Sequence, residues 1–322
     1  MSTATSSDDV TVSYLSLGGS GPRLLLAHAT GFCSTTWRPV AEALSGFECW
    51  ALDFRGHGRS TPPADGRFDW HGTADDVLAT IDAIDRNHPL RPGSAAGWLG
   101  AGHSMGGASL LLAEESRPGT FAGLWVYEPI VFPGNGPQME PSAGDPGNHL
   151  AAGAARRRDR FESRQAALDN YSSKPPMNDF DPRALAGYLE RGLVDLVDLD
   201  DSGESAAGGA RLACAPANES QVYLMGGRHN AWAGLDSVGC PVTVLCGNTG
   251  VPGPAGFASA VAERLGFGRL EAHPDLGHFG PMQAPRRMAT SIRSAFAATA
   301  PATAPTAGLS PSVSGDGPTI AS

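Results

Sequence analysis

Residues 23–29, RLLLAHA, form an apolar run suited to a strand buried on both faces, and it opens a rhythm that constrains the whole fold. Residues 36–44 follow with helical spacing, 47–53 read as the next strand, and 73–85 as an amphipathic helix with Val77, Leu78, Ile81 and Ile84 on one side. A strand at 96–103, a helix at 105–115 and a strand at 121–127 continue the series. Strand and helix in alternation predict an α/β fold, with a mostly parallel sheet carrying helices on both faces.

The rhythm stops at Pro133. Residues 134–149 are rich in Gly, Pro and Asn and are expected to form a loop. From residue 150 to about 235 the pattern predicts helices at 151–167, at 182–194 and around Gln221, without convincing strands. After Pro241 the alternation resumes, with strands at 242–246 and 269–272 and helices at 255–265 and 285–298. An inserted helical cap explains this shift. It divides the chain into a core of residues 1–132 and 236–298 and a cap of residues 133–235. Residues 299–322, mostly Ala, Pro, Thr, Ser and Gly, are expected to be a disordered tail.

A chain of 322 residues that is 41% hydrophobic can bury a substantial core. The formal net charge of -10 disfavours a phosphate backbone, so nucleic acid is not expected as a partner. The basic run Arg156-Arg157-Arg158-Asp159-Arg160 reads as a solvated helix face. No stretch approaches the roughly 18 apolar residues of a spanning helix, and no membrane association is expected. Residues 1–9 lack a signal-peptide pattern, so a cytoplasmic location is the default expectation. Cys33, Cys49, Cys214, Cys240 and Cys246 are scattered, and their spacing suggests neither a zinc site nor a disulfide framework. No metal or organic cofactor is implied, and the oligomeric state is left open.

The chemistry concentrates at Gly102-His103-Ser104-Met105-Gly106-Gly107, a G-x-S-x-G sequence between a predicted strand and a predicted helix. A serine on so sharp a turn adopts strained backbone angles, and glycines two residues either side remove side chains that would clash. The hydroxyl then projects outward beside a helix N-terminus, which favours developing negative charge. Ser104 is the candidate nucleophile. A weak nucleophile needs a base, and His278, in a loop after the last predicted strand, is the candidate.

With these residues in place the chain resembles the α/β-hydrolase family over residues 10–298. Leu26-Ala27-His28-Ala29-Thr30-Gly31-Phe32 is similar to the family's His-Gly loop, with Ala29 where glycine is usual. Asp53-Phe54-Arg55-Gly56-His57-Gly58-Arg59-Ser60 is similar to its Asp-x-Arg-Gly-His-Gly-x-Ser segment, and Gly277-His278-Phe279 to the loop bearing its catalytic histidine. The resemblance implies an oxyanion hole formed by the N–H groups of Thr30 and Met105. Asp53, Arg55, His57 and Ser60 are read as hydrogen-bonding residues that hold their loop together.

One departure stands out. The family usually places its acid in a Gly-x-x-Asp pattern after the strand that follows the cap, and this chain has Gly247-Asn248-Thr249-Gly250 there. Asp275 lies only three residues before His278, too close to fold back onto the ring. Glu128 ends the strand after the nucleophile helix, where some relatives, certain haloalkane dehalogenases among them, carry their acid. Neighbouring parallel strands converge at their C-terminal ends, so Glu128 is the candidate orienting acid. A Ser-His dyad, or Asn248 orienting the ring, is the alternative.

A serine nucleophile implies hydrolysis of a carboxylic ester or thioester through an acyl-enzyme, on a small to medium apolar acyl substrate. A lyase, acyltransferase or cyclase on the same scaffold, and a non-catalytic ligand-binding protein, are the other readings. Phe132, Tyr171, Met225 and Trp232 are candidates for lining the pocket.

Overall fold

A computed structural model describes residues 2–90, 97–134, 148–199, 205–251 and 253–297. The strands are β1 (Ser2–Thr5), β2 (Thr11–Gly19), β3 (Arg23–Ala27), β4 (Glu48–Asp53), β5 (Trp98–His103) and β6 (Phe121–Tyr127). They continue with β7 (Arg160–Phe161), β8 (Leu193–Leu199), β9 (Ser205–Leu212), β10 (Val242–Cys246) and β11 (Gly268–Ala272). The helices are α1 (Arg38–Ala43), α2 (Trp70–Asn87), α3 (Met105–Ser116), α4 (His149–Ala155), α5 (Arg164–Ser172) and α6 (Pro182–Gly192). After them come α7 (Pro216–Met225), α8 (Ala231–Gly234), α9 (Ala258–Arg264), α10 (Gly280–Gln283) and α11 (Pro285–Ala297).

Eight strands form one sheet in the order β1-β2-β4-β3-β5-β6-β10-β11. Neighbours from β4 to β11 are parallel, while β2 pairs antiparallel with both β1 and β4. The parallel part is the sheet expected from the alternation. The first strand pair is not, because only Ala4 of the polar segment Ser2–Thr5 is buried.

Period-two alternation along each strand sorts its residues into two cores. Leu25, Ala27, Trp50, Leu52, Leu124 and Val126 pack with α2, α3 and α9 on one face. Leu24, Leu26, Cys49, Ala51, Trp125 and Tyr127 pack with α1 and α11 on the other. Each fully buried large apolar side chain stabilises the fold by about 1.5–3 kcal/mol. The amphipathic pattern behind α2 is borne out by Val77, Ile81 and Ile84 on the buried side, with Leu78 partly buried against the same core, and Asp69 caps the helix by accepting the His71 N–H. The five cysteines are free and buried, as small apolar fillers are. No described helix is long and apolar enough to cross a membrane.

The segment between β6 and β10 differs from the all-helical expectation. It holds α4 to α8 and a three-stranded antiparallel sheet in the order β7-β9-β8. Leu193-Val194-Asp195-Leu196-Val197-Asp198-Leu199 fits helical spacing as well as strand alternation, and pairing with β9 decides between them. The helix expected over 151–167 is two helices. Asn148 Oδ1 caps α4 by accepting the Ala151 N–H, and Ser163 Oγ caps α5 by accepting the Ala166 N–H. The basic run lies between them and is not one solvated helix face, because Arg157 turns inward onto Glu219 and Tyr188. Most of the expected Gly/Pro-rich loop, residues 135–147, and the expected tail, residues 299–322, lie outside the described residues.

Candidate active site

Chain leaving β5 turns so sharply into α3 that Ser104 adopts φ 56° and ψ −117°. Such angles are strained for a residue with a side chain and persist only where the surroundings over-determine them. Here the Ser104 N–H donates to Tyr127 O at 2.9 Å, and its carbonyl accepts from Ala108 N at 3.2 Å and Ile130 N at 3.3 Å. The flanking glycines have the steric role expected of them. A Cβ on Gly102 would stand 2.6 Å from Gly107 N, and one on Gly106 would stand 2.2 Å from Ala27 O.

His278 arrives from the loop between β11 and α10. Its Nε2 lies 3.1 Å from Ser104 Oγ, and its Nδ1 lies 2.6 Å from Glu128 Oε2. An ionised carboxylate only accepts, so Nδ1 carries the proton and the Nε2 lone pair faces the hydroxyl. Glu128 is buried at the end of β6 with φ 44°, and its second oxygen, Oε1, accepts the Gly247 N–H at 2.8 Å. Gly247 thus begins the loop that lacks the usual acid and helps hold the carboxylate that reaches the ring. The His278 backbone is fixed too, because its carbonyl accepts from His103 Nε2 at 2.7 Å. Burial drives the His103 pKa well below the ordinary histidine value, which keeps that ring neutral. Tyr127 OH donates to Gly277 O at 2.8 Å, and Gln283 Oε1 accepts the Gly277 N–H at 3.0 Å.

The other acid candidates are engaged elsewhere. Asp275 is exposed and bonds Arg287 at 2.6 Å. Asn248 is exposed, and its Oδ1 accepts the Gly250 N–H at 2.8 Å.

The loop from His28 to Phe32 lies against the start of α3, where Thr30 Oγ1 approaches Met105 Sδ at 3.5 Å. Within this loop the Gly31 N–H donates to His57 Nε2 at 3.0 Å and the Phe32 N–H to Ala29 O at 3.2 Å. Met105 opens α3, so its N–H belongs to the first turn, whose donors have no intrahelical acceptor. Because His57 Nε2 accepts, its Nδ1 donates to Arg55 O, at 2.9 Å. His28 repeats this logic, with Nε2 accepting from Phe54 N at 3.0 Å and Nδ1 donating to Ala29 O at 2.7 Å. Burial lowers the pKa of both rings, that of His57 to about 3, and both are neutral.

Asp53, Arg55 and Ser60 hold the same region. Asp53 accepts from Ser34 N at 2.7 Å, Arg59 N at 3.1 Å and Arg191 Nη1 at 2.8 Å, and Ser60 Oγ donates to Asp53 O. Arg55 is paired with Asp76, both side chains having no exposed surface.

The pocket candidates divide. Tyr171 meets Tyr188 edge to face and bonds Arg157, whereas Phe132 packs on Phe257. Met225 and Trp232 pack against the core under α3, and the Arg264 guanidinium covers the Trp232 ring. The groups that adjoin His278 include others that the sequence did not single out. Phe279 contacts the His278 ring, and Phe32 and Phe180 both contact Phe279, at centroid distances of 5.3, 5.8 and 5.6 Å. Phe32 and Phe279 sit inside quoted motifs, a signal that could have found them, whereas nothing local marks Phe180. Arg157 and Glu219 pair at 2.5 Å, and a Cβ on Gly31 would lie 2.6 Å from the Glu219 carboxylate. This pair, with Glu219 buried and Arg157 partly so, seats the insertion on the His28–Phe32 loop.

Residues 24–291 match the model of the alpha/beta hydrolase family. The chain belongs to that family. Human monoglyceride lipase is 33% identical over 111 residues, which is 34% of this chain and 35% of the lipase. The chain thus matches about a third of the length of that curated relative. Among solved structures, E-2-(acetamidomethylene)succinate hydrolase superposes with a TM-score of 0.69 at 20% identity, covering 92% of this chain and 98% of the other. A thermophilic esterase from Thermogutta terrifontis superposes with a TM-score of 0.65 at 19% identity, covering 92% and 98%. At such identities the structural likeness speaks for the α/β-hydrolase fold. Within that fold, this member has its hydroxyl, imidazole and carboxylate in one hydrogen-bonded line, with the carboxylate supplied by β6.

Proposed function

We propose that the protein is a serine hydrolase that cleaves a small to medium carboxylic ester or thioester through an acyl-enzyme. The observation that carries this reading is the line from Ser104 Oγ to His278 Nε2 at 3.1 Å and from His278 Nδ1 to Glu128 Oε2 at 2.6 Å. In the proposed reaction Ser104 Oγ attacks the acyl carbonyl while His278 Nε2 takes its proton. Glu128 holds the ring in the right tautomer and stabilises the imidazolium that forms. The N–H groups of Thr30 and Met105 receive the oxyanion, each such donor being worth about 3–4 kcal/mol. His278 then protonates the leaving alcohol or thiol, and water releases the acyl group by the same steps in reverse.

Phe32, Phe180 and Phe279 support an apolar acyl group, since they set an aromatic surface beside His278. Membership of the α/β-hydrolase family, with an esterase and a lipase among the similar proteins, supports ester hydrolysis. The test is turnover on a panel of acyl esters and thioesters of graded chain length, with and without an alcohol acceptor. The reading predicts free acid as the main product and a preference for short to medium apolar acyl groups. Exclusive transfer to the acceptor, or no turnover of any ester, would overturn it.

A further inference from the structure

The β11 edge of the central sheet has no partner strand among the described residues. Its pairing with β10 fixes which backbone groups are already engaged. The Val242 N–H donates to Phe267 O and the His273 N–H to Cys246 O, with the register running from Val242↔Gly268 to Cys246↔Ala272. Along a strand, the N–H and C=O of one residue point to the same side and those of the next to the other. Residues 267, 269, 271 and 273 therefore turn toward β10. Gly268, Leu270 and Ala272 turn away from β10, with the Gly268 N–H donating to Leu265 O at 3.3 Å, so the open edge consists of the Leu270 and Ala272 N–H groups and the three carbonyls.

Apolar side chains accompany this edge, with Phe267 64% and Leu270 45% exposed. The strand carries no proline or bulge, and its two charges, Arg269 and Glu271, are of opposite sign.

We propose that two copies of this chain pair through β11, antiparallel, about a two-fold axis at Leu270. The sequence of the strand selects that register. With Leu270 opposite Leu270, Gly268 falls opposite Ala272, so the Leu270 N–H meets Leu270 C=O of the second copy and the Ala272 N–H meets its Gly268 C=O, while the Gly268 N–H stays on Leu265 O. Arg269 falls opposite Glu271 on the same face, twice, in the closely spaced non-hydrogen-bonded pairs where opposite charges attract. Sliding by one residue brings inward-facing backbone groups to the edge. Sliding to the next permitted register sets Arg269 against Arg269 or Glu271 against Glu271. Both side chains already lie along one face, Arg269 Nε donating to Thr243 Oγ1 at 2.7 Å and Glu271 Oε1 meeting His273 Nε2 at 2.9 Å.

The test is the molar mass of the full chain by sedimentation across a concentration series, for the wild type, Arg269→Glu and the charge swap Arg269→Glu/Glu271→Arg. The wild type is expected to dimerise, Arg269→Glu to weaken the dimer by about tenfold or more, and the swap to restore it. Hydrogen exchange at the Leu270 amide should slow as the wild-type dimer fills. Circular dichroism and wild-type turnover in Arg269→Glu check that the fold stands. A wild type that stays monomeric up to about 0.1 mM, a dimer untouched by Arg269→Glu, or a swap variant that remains monomeric would each overturn the proposal.

Discussion

Glu128 holds the His278 imidazole from the end of β6, beside the strand that leads into Gly247, with Oε2 2.6 Å from Nδ1 and Oε1 2.8 Å from the Gly247 N–H. β6 and β10 are hydrogen-bonded neighbours, Tyr127 standing opposite Leu245, so their C-terminal ends open onto the same crevice. A carboxylate can therefore move from one strand end to the other without losing the ring it orients. Its longer side chain and the positive φ of Glu128 aim it across the gap.

Glu128→Gln tests this relationship in turnover. The amide can present an N–H to Nδ1, which favours the wrong tautomer and removes the charge that stabilises the imidazolium. The expected loss in kcat is up to about 10⁴-fold, by analogy with the serine-protease triad. Unchanged kcat in the folded variant would remove Glu128 from the mechanism.

Asp275→Asn and Asn248→Ala provide the converse. Asp275 is bound to Arg287 at the surface, and Asn248 closes its own turn, so neither supports the ring. Each variant should keep kcat within about twofold of wild type, as exposed pairs contribute little. A loss as large as that of Glu128→Gln would shift the orienting role to the residue concerned.

Acid should destabilise the fold before the carboxylates titrate. His57 has a pKa of about 3 in the folded chain against an ordinary value of 6.5, because burial disfavours its charged form. Above 6.5 neither the folded nor the unfolded ring holds the extra proton. Between 6.5 and 3 only the unfolded ring takes it, so stability falls with pH, by about 1.4 kcal/mol per pH unit for this group. His28 and His103 are lowered by burial in the same direction and steepen the fall. Urea unfolding from pH 7 to 5 should show a declining midpoint for wild type and a shallower decline for His57→Gln. Equal slopes would count against the buried neutral ring.

Asp76→Ala should be costly in stability. Asp76 accepts from Arg55 Nε, Nη2 and backbone N at about 3 Å, and neither side chain is exposed. Removing one partner strands a buried charge, at about 3–5 kcal/mol. Chemical denaturation reads this directly. A cost below about 1 kcal/mol would mean that the pair is relieved by water or by Asp8.

The parts of the fold legible in the sequence are those whose signals are local. The buried run of β3 and the spacing of α2 each read correctly because burial writes its period into neighbouring residues. The turn at Ser104 was legible because its glycines are demanded by contacts within a few residues and with β3. Glu128 was legible only by elimination, once Gly250 was seen at the usual acid position. What escaped depends on partners outside the local pattern. β8 and β9 are strands only because they pair, and Arg157 looks like one of a solvated run until Glu219, 62 residues on, is brought to it. Phe180 meets Phe279 across almost a third of the chain, so no local pattern could join them.

The central claim is that His278 makes the Ser104 hydroxyl a nucleophile, and covalent labelling with a fluorophosphonate tests it most directly. Mass mapping of the adduct should find one label per chain on Ser104, absent in Ser104→Ala and formed at least about 10³-fold more slowly in His278→Ala. A folded wild-type chain that takes no label at Ser104, or labels as fast without the imidazole, would contradict the account.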